Sequence, residues 1–101
     1  EASFLDALRS DSMMEAANLN LALLYGETGR MAEAEKYLEK TLDINPDNPV
    51  ASYNLAILLY DTNPERARAL CRISVKNGDG VEKYANLLNL LEKKISEESR
   101  K

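Results

Sequence analysis

Apolar side chains return every three or four positions in two stretches of this chain. Leu21, Leu24 and Tyr25 fall on one helical face, and Leu55, Leu58 and Leu59 do the same further on. That period is the signature of an α-helix with one face turned to a core. The first stretch is interrupted at Gly26 and Gly29, and a new stripe starts at once: Ala34, Tyr37, Leu38, Thr41 and Leu42, on a helix from about Met31 to Ile44. Glycine adopts a left-handed backbone without penalty, so Gly29 is expected to end one helix and let the next fold back antiparallel. Small residues, Ala22 facing Ala34, would let the two helices of that pair approach closely.

The interruption recurs. Asn20-Leu21-Ala22 reappears as Asn54-Leu55-Ala56 after 34 residues, and Asn86-Leu87-Leu88 follows 32 residues later. A second helix again follows the first, carrying Ala67, Leu70, Cys71, Ser74 and Val75. Its start is marked by Asn63-Pro64, as Asn48-Pro49 marks the helix before it, since Asn caps a helix and Pro suits its first turn. Asp79 offers a cap for a last helix. A period near 34 residues signals a unit that buries its apolar face only by stacking on copies of itself. Together these features predict an all-α fold: a right-handed α-solenoid of antiparallel helix pairs, with about six helices and no strand.

The residues resemble the tetratricopeptide repeat (TPR). Residues 15–48 look like one full unit: Asn18, Leu21, Ala22 and Tyr25 stand on its W-x2-L-G-x2-Y pattern, and Ala34, Leu38 and Pro46 on its later A-x3-F and terminal proline. Asn18 departs from the aromatic. Residues 49–80 look like a second, degenerate unit, with Leu55, Ala56, Leu59, Ala67 and Cys71 in matching places but Asn77-Gly78-Asp79-Gly80 where the closing proline would be. By the same spacing residues 1–12 resemble the second helix of a truncated preceding repeat. Residues 81–98 resemble a C-terminal capping helix with Glu82, Lys83, Asn86, Glu92, Lys93 and Lys94 outward, and residues 99–101 form a tail. On this reading the chain is a single TPR-like domain, a fragment of a longer array.

Composition narrows the chemistry. The 101 residues are 45% hydrophobic and 30% charged, the balance of one small globular domain. No apolar run is long enough for direct membrane insertion. The net charge of −4 argues against nucleic acid, whose phosphates need a basic surface. Residues 1–48 carry ten acidic and four basic side chains, residues 49–101 seven and nine; solvated helix faces account for this, and so would a polarity favouring head-to-tail association. Arg66, Arg68, Arg72 and Lys76 read as one such solvated face. With no histidine, a single cysteine (Cys71, expected to be a buried thiol) and no phosphate-binding or nucleophile motif, no catalytic, metal or cofactor site is expected. The chain does not read as an enzyme.

The resemblance implies a protein–protein interaction module whose first helices line a concave groove for a peptide or partner helix. Helix geometry puts Leu19, Asn20 and Leu23, then Tyr53, Asn54, Ile57 and Tyr60, then Asn86 and Asn89 on that side. Asparagine offers both a donor and an acceptor to a peptide backbone, and the resemblance assigns Asn20 and Asn54 that role. The lysine and arginine clamp by which some TPR domains hold a chaperone's terminal carboxylate is absent, Leu19, Leu23, Val50 and Asn86 standing in its places. The expected partner is therefore apolar or amphipathic. A second reading makes the chain a structural segment that stacks or self-associates through its open N-terminal end, at Phe4, Leu5 and Leu8.

Overall fold

The turns predicted at Gly29, Asn48-Pro49 and Asn63-Pro64 become helix ends with identifiable chemistry. The computed structural model describes the backbone of residues 4–100 and the side chains of residues 11–100. It contains α1 (Phe4–Glu27), α2 (Met31–Ile44), α3 (Pro49–Leu59), α4 (Pro64–Asn77) and α5 (Glu82–Ser99), with no strand among the described residues. Two compact units result, Glu1–Pro46 and Asp47–Lys101.

In the first unit α2 folds back onto α1. Gly29 has φ +81°, the Gly29 amide donates to the Gly26 carbonyl at 3.3 Å and the Arg30 amide to Tyr25 at 2.8 Å. This pair of bonds is the Schellman arrangement, which satisfies carbonyls that a helix end leaves bare. Ala22 and Ala34 are both buried, with Leu38 and Thr41. The Tyr25 and Tyr37 rings stack at 5.6 Å. Asn45, just beyond α2, donates to the Glu15 carboxylate on α1 at 2.9 Å.

The second unit packs α3 on α4 and α4 on α5. The Asn48 side chain accepts from the amides of Val50 and Ala51, and Asn63 accepts from Arg66; each precedes a proline at the first helical position. Ala56 and Ala67, counterparts of Ala22 and Ala34 one period on, are wholly buried beside Leu55 and Cys71. Two polar ties join the helices. The Ser74 hydroxyl donates to the Pro49 carbonyl at 2.7 Å, and the Cys71 thiol donates to the Tyr84 carbonyl at 3.2 Å. Burial pushes the Cys71 thiol up to about 11, so it stays neutral.

Four expectations are corrected. About six helices were predicted, and five are present among the described residues. The break expected after residue 12 is absent because RSDSMME holds no glycine or proline, and Ser or Asp starts a helix without stopping the one before it. Leu21 and Leu24, read as core, are 38% and 54% exposed. A two-helix unit offers α1 one neighbour, which covers one stripe of a helix that is apolar on several sides. Val75 is likewise 39% exposed, on the rim of α4. Finally, Val81 and not Asp79 occupies the cap of α5, with no side-chain bond.

Candidate partner-binding face

The sequence of α3, PVASYNLAILL, carries no charged residue. A helix on the surface of a soluble protein normally keeps a charged or polar stripe toward water; one that is apolar all round is normally covered on every side. The inner side of α3 is accounted for, since Ala51, Ser52, Leu55, Ala56 and Leu59 are buried. Its other side presents Val50, Tyr53, Asn54 and Ile57, of which Ile57 is 45% exposed and the rest are half-buried.

Two of these side chains, Tyr53 and Asn54, are held by neighbours. The Tyr53 ring lies 4.9 Å from the ring of Tyr84 on α5, and the Lys83 ammonium sits 5.3 Å from the Tyr53 ring centre. Tyr84 itself is buried, and its phenol is raised above its ordinary value by that burial first and by Tyr53 second. Tyr60, at the C-terminal end of α3, is half-buried beneath the Lys94 ammonium at 4.9 Å. The Asn54 amide nitrogen donates to the Val50 carbonyl one turn back, at 2.8 Å. That bond uses one of its two N–H groups, so an acceptor oxygen and a donor remain for an incoming backbone. Asn86 and Asn89 are exposed on α5. In the first unit Leu19 and Leu23 are half-buried on α1 and Asn20 is exposed. The side chains of Phe4, Leu5 and Leu8 lie outside the described residues.

Sequence reasoning missed two features of this region. Glu92 receives Arg72 at 2.9 Å and Arg68 at 3.6 Å, so part of the expected solvated face of α4 is tied to α5. Gly78 lies so close to Tyr84 that no side chain fits between them, an approach a single sequence cannot signal. Among the described residues no group of three metal-ligating side chains comes together, and no helix is long and apolar enough to cross a membrane.

A tetratricopeptide-repeat family model matches residues 27–91, more than half of the chain. The chain belongs to the tetratricopeptide-repeat family. A second TPR model matches residues 1–49. Among solved structures, the chain is similar to the C-terminal TPR-containing domain of a Plasmodium falciparum protein named as an FK506-binding protein, with a TM-score of 0.79 and 22% identity. The match covers 98% of this chain and 66% of that one, so this TPR chain spans slightly less than two thirds of the solved relative and shares its fold. No curated protein matches the sequence. The TPR fold is a non-catalytic one that mediates protein–protein interaction, and its α-solenoid class agrees with the all-helical structure. At the place of the family's tryptophan stands Asn18, which lines an open depression of about 310 Å³ with Met14, Lys40, Asp43 and Ile44.

Proposed function

We propose that this TPR chain is a non-enzymatic scaffold module that holds an apolar or amphipathic peptide, or a partner helix, against the outer side of α3. The observation that carries the reading is the uncharged α3 with Ile57 left 45% exposed. Ile57 is the anchor. Tyr53, fixed by Tyr84 and Lys83, is the rigid aromatic beside it, and rigid aromatics lose little entropy on binding. Asn54 supplies an acceptor and a donor to the partner's backbone, irrespective of the partner's sequence. Tyr60 and Asn86 extend the face, while Leu19, Asn20 and Leu23 are the corresponding positions of the first unit.

The test is selection from a random-peptide display library on the immobilised chain, followed by calorimetric titration of the selected peptides. Ile57→Asp should abolish measurable binding, and Asn54→Ala should weaken it by about 0.5–1.5 kcal/mol, the ordinary net worth of a hydrogen bond. Tyr53→Ala should cost about 2 kcal/mol or more of binding. It should also lower stability, because the Tyr84 ring loses its neighbour. Selected peptides that bind Ile57→Asp as tightly as the parent would place the site elsewhere.

A further inference from the structure

The first unit leaves α1 with more apolar surface than α2 covers. Met14, Leu21 and Leu24 are 56%, 38% and 54% exposed, and with the exposed Ala17 they follow spacings of three and four, which align them along one side of the helix. Met13, 66% exposed, widens the stripe. From Ser10 to Gly29 there is no basic residue, and the exposed carboxylates Asp11 and Glu27 flank the stripe near its two ends. The surface is thus an apolar strip with an acid at either end.

The outer side of α5 has the opposite sign. Lys83, Asn86, Leu90, Lys93, Glu97 and Arg100 follow the same spacing and are all exposed, Leu90 by 54%. Lys83, Lys93 and Arg100 outnumber the acids on this side, Glu82 beside Lys83 and Glu97 near Arg100, and Leu90 stands near the middle. Asp11 and Glu27 are about 24 Å apart along α1, and Lys83 and Arg100 about 26 Å apart along α5, at about 1.5 Å per residue. Ala17 offers a small side chain against which a leucine can seat, and the lysine stems can lie along apolar surface with their ammonium groups in water.

We propose that α1 of one copy receives α5 of a second copy, so that chains associate head to tail. The surfaces differ and lie at opposite ends of the sequence, which makes the contact heterologous: each copy keeps one free surface of each kind, and assembly grows with concentration. The proposal rests on other observations than the α3 site, although Lys83 and Asn86 border both surfaces, and it does not use Phe4, Leu5 or Leu8.

Sedimentation velocity on the whole chain tests it. The parent should show a weight-average mass that rises with concentration toward about 1 mM and falls in about 0.5 M salt, because the exposed charges are screened. Leu21→Glu and Lys93→Glu should each weaken association about tenfold or more while leaving the helical circular-dichroism signal intact. The decisive arm is a charge swap. Asp11→Lys/Glu27→Lys should be monomeric alone, Lys83→Glu/Lys93→Glu should be monomeric alone, and an equimolar mixture should associate. A monomeric parent across this range would overturn the proposal. So would association lost in Leu21→Glu but untouched in Lys93→Glu, which would mean that α1 pairs with itself. Swapped chains that stay monomeric when mixed would overturn it too.

Discussion

Replacing Gly78 by alanine isolates one contact of the second unit. Gly78 has φ −101°, an ordinary value for any residue, so backbone conformation gives no reason for glycine there. Space does. A Cβ at Gly78 would fall 2.8 Å from Cδ2 of the Tyr84 ring, closer still to Cε2, and 2.9 Å from the Ser74 carbonyl oxygen. The ring cannot swing clear cheaply, because Tyr84 is buried and faces Tyr53 at 4.9 Å. The Ser74 carbonyl is also fixed, as acceptor of the Gly78 amide at 2.8 Å. Overpacking of this kind costs about 1–3 kcal/mol. Against it stands a gain of about 0.4–1 kcal/mol from the reduced freedom of the unfolded chain. Because both neighbours are fixed, the upper half of that cost applies, about 2–3 kcal/mol. The net is a loss of about 1–2.6 kcal/mol, or roughly 4–20 °C in Tm for a domain of this size. Thermal denaturation followed by circular dichroism measures it. The sign is diagnostic: if alanine left Tm unchanged or raised it, the unfolded-state gain would be acting alone, and the Tyr84 ring could not lie where it is described. The double variant with Tyr84→Ala should lose less than the sum of the two single changes, because the added methyl then has room.

Other consequences follow from the helix ends and the buried thiol. Asn48→Ala removes the acceptor of two amides at 3.0 Å and should cost about 1 kcal/mol, read from the midpoint of urea denaturation; no change would mean that the cap is not formed in solution. Cys71 titrates near 9.0 when unfolded and about 11 when folded, so the unfolded state loses its proton first as pH rises. The stability associated with the neutral thiol is complete below pH 9.0 and declines by about 2–3 kcal/mol as pH climbs to about 11. Denaturation series at pH 8 and pH 11 should therefore show a steeper alkaline loss for the parent than for Cys71→Ala, and equal slopes would refute it.

The legible part of the fold was the part written in local chemistry. Asn48-Pro49 and Asn63-Pro64 combine a cap with a residue that cannot continue a helix backward, and Gly29 has the one backbone conformation that favours glycine. Such signals act within a few residues, so a single chain carries them in full. Burial is different. Leu21 and Leu55 occupy equivalent places one period apart, yet Leu21 is 38% exposed and Leu55 is wholly buried. Periodicity tells which residues share a face and not how many neighbours that face meets. The same limit applied to the candidate site. The sequence placed Tyr53, Asn54 and Ile57 on one side of a helix. It held no sign that Tyr84 would support Tyr53, or that Asn54 would spend a donor on Val50.

The central claim is that α3 holds the partner, and the most direct measurement is a backbone-amide NMR titration of the chain with a peptide selected on it. The largest shift changes should fall on Val50, Tyr53, Asn54, Ile57 and Tyr60, with Asn86 on the neighbouring helix, and they should vanish in Ile57→Asp while the rest of the spectrum stays in place. Shift changes that leave α3 untouched and gather on α1, or on α5 around Leu90 and Lys93, would contradict the account.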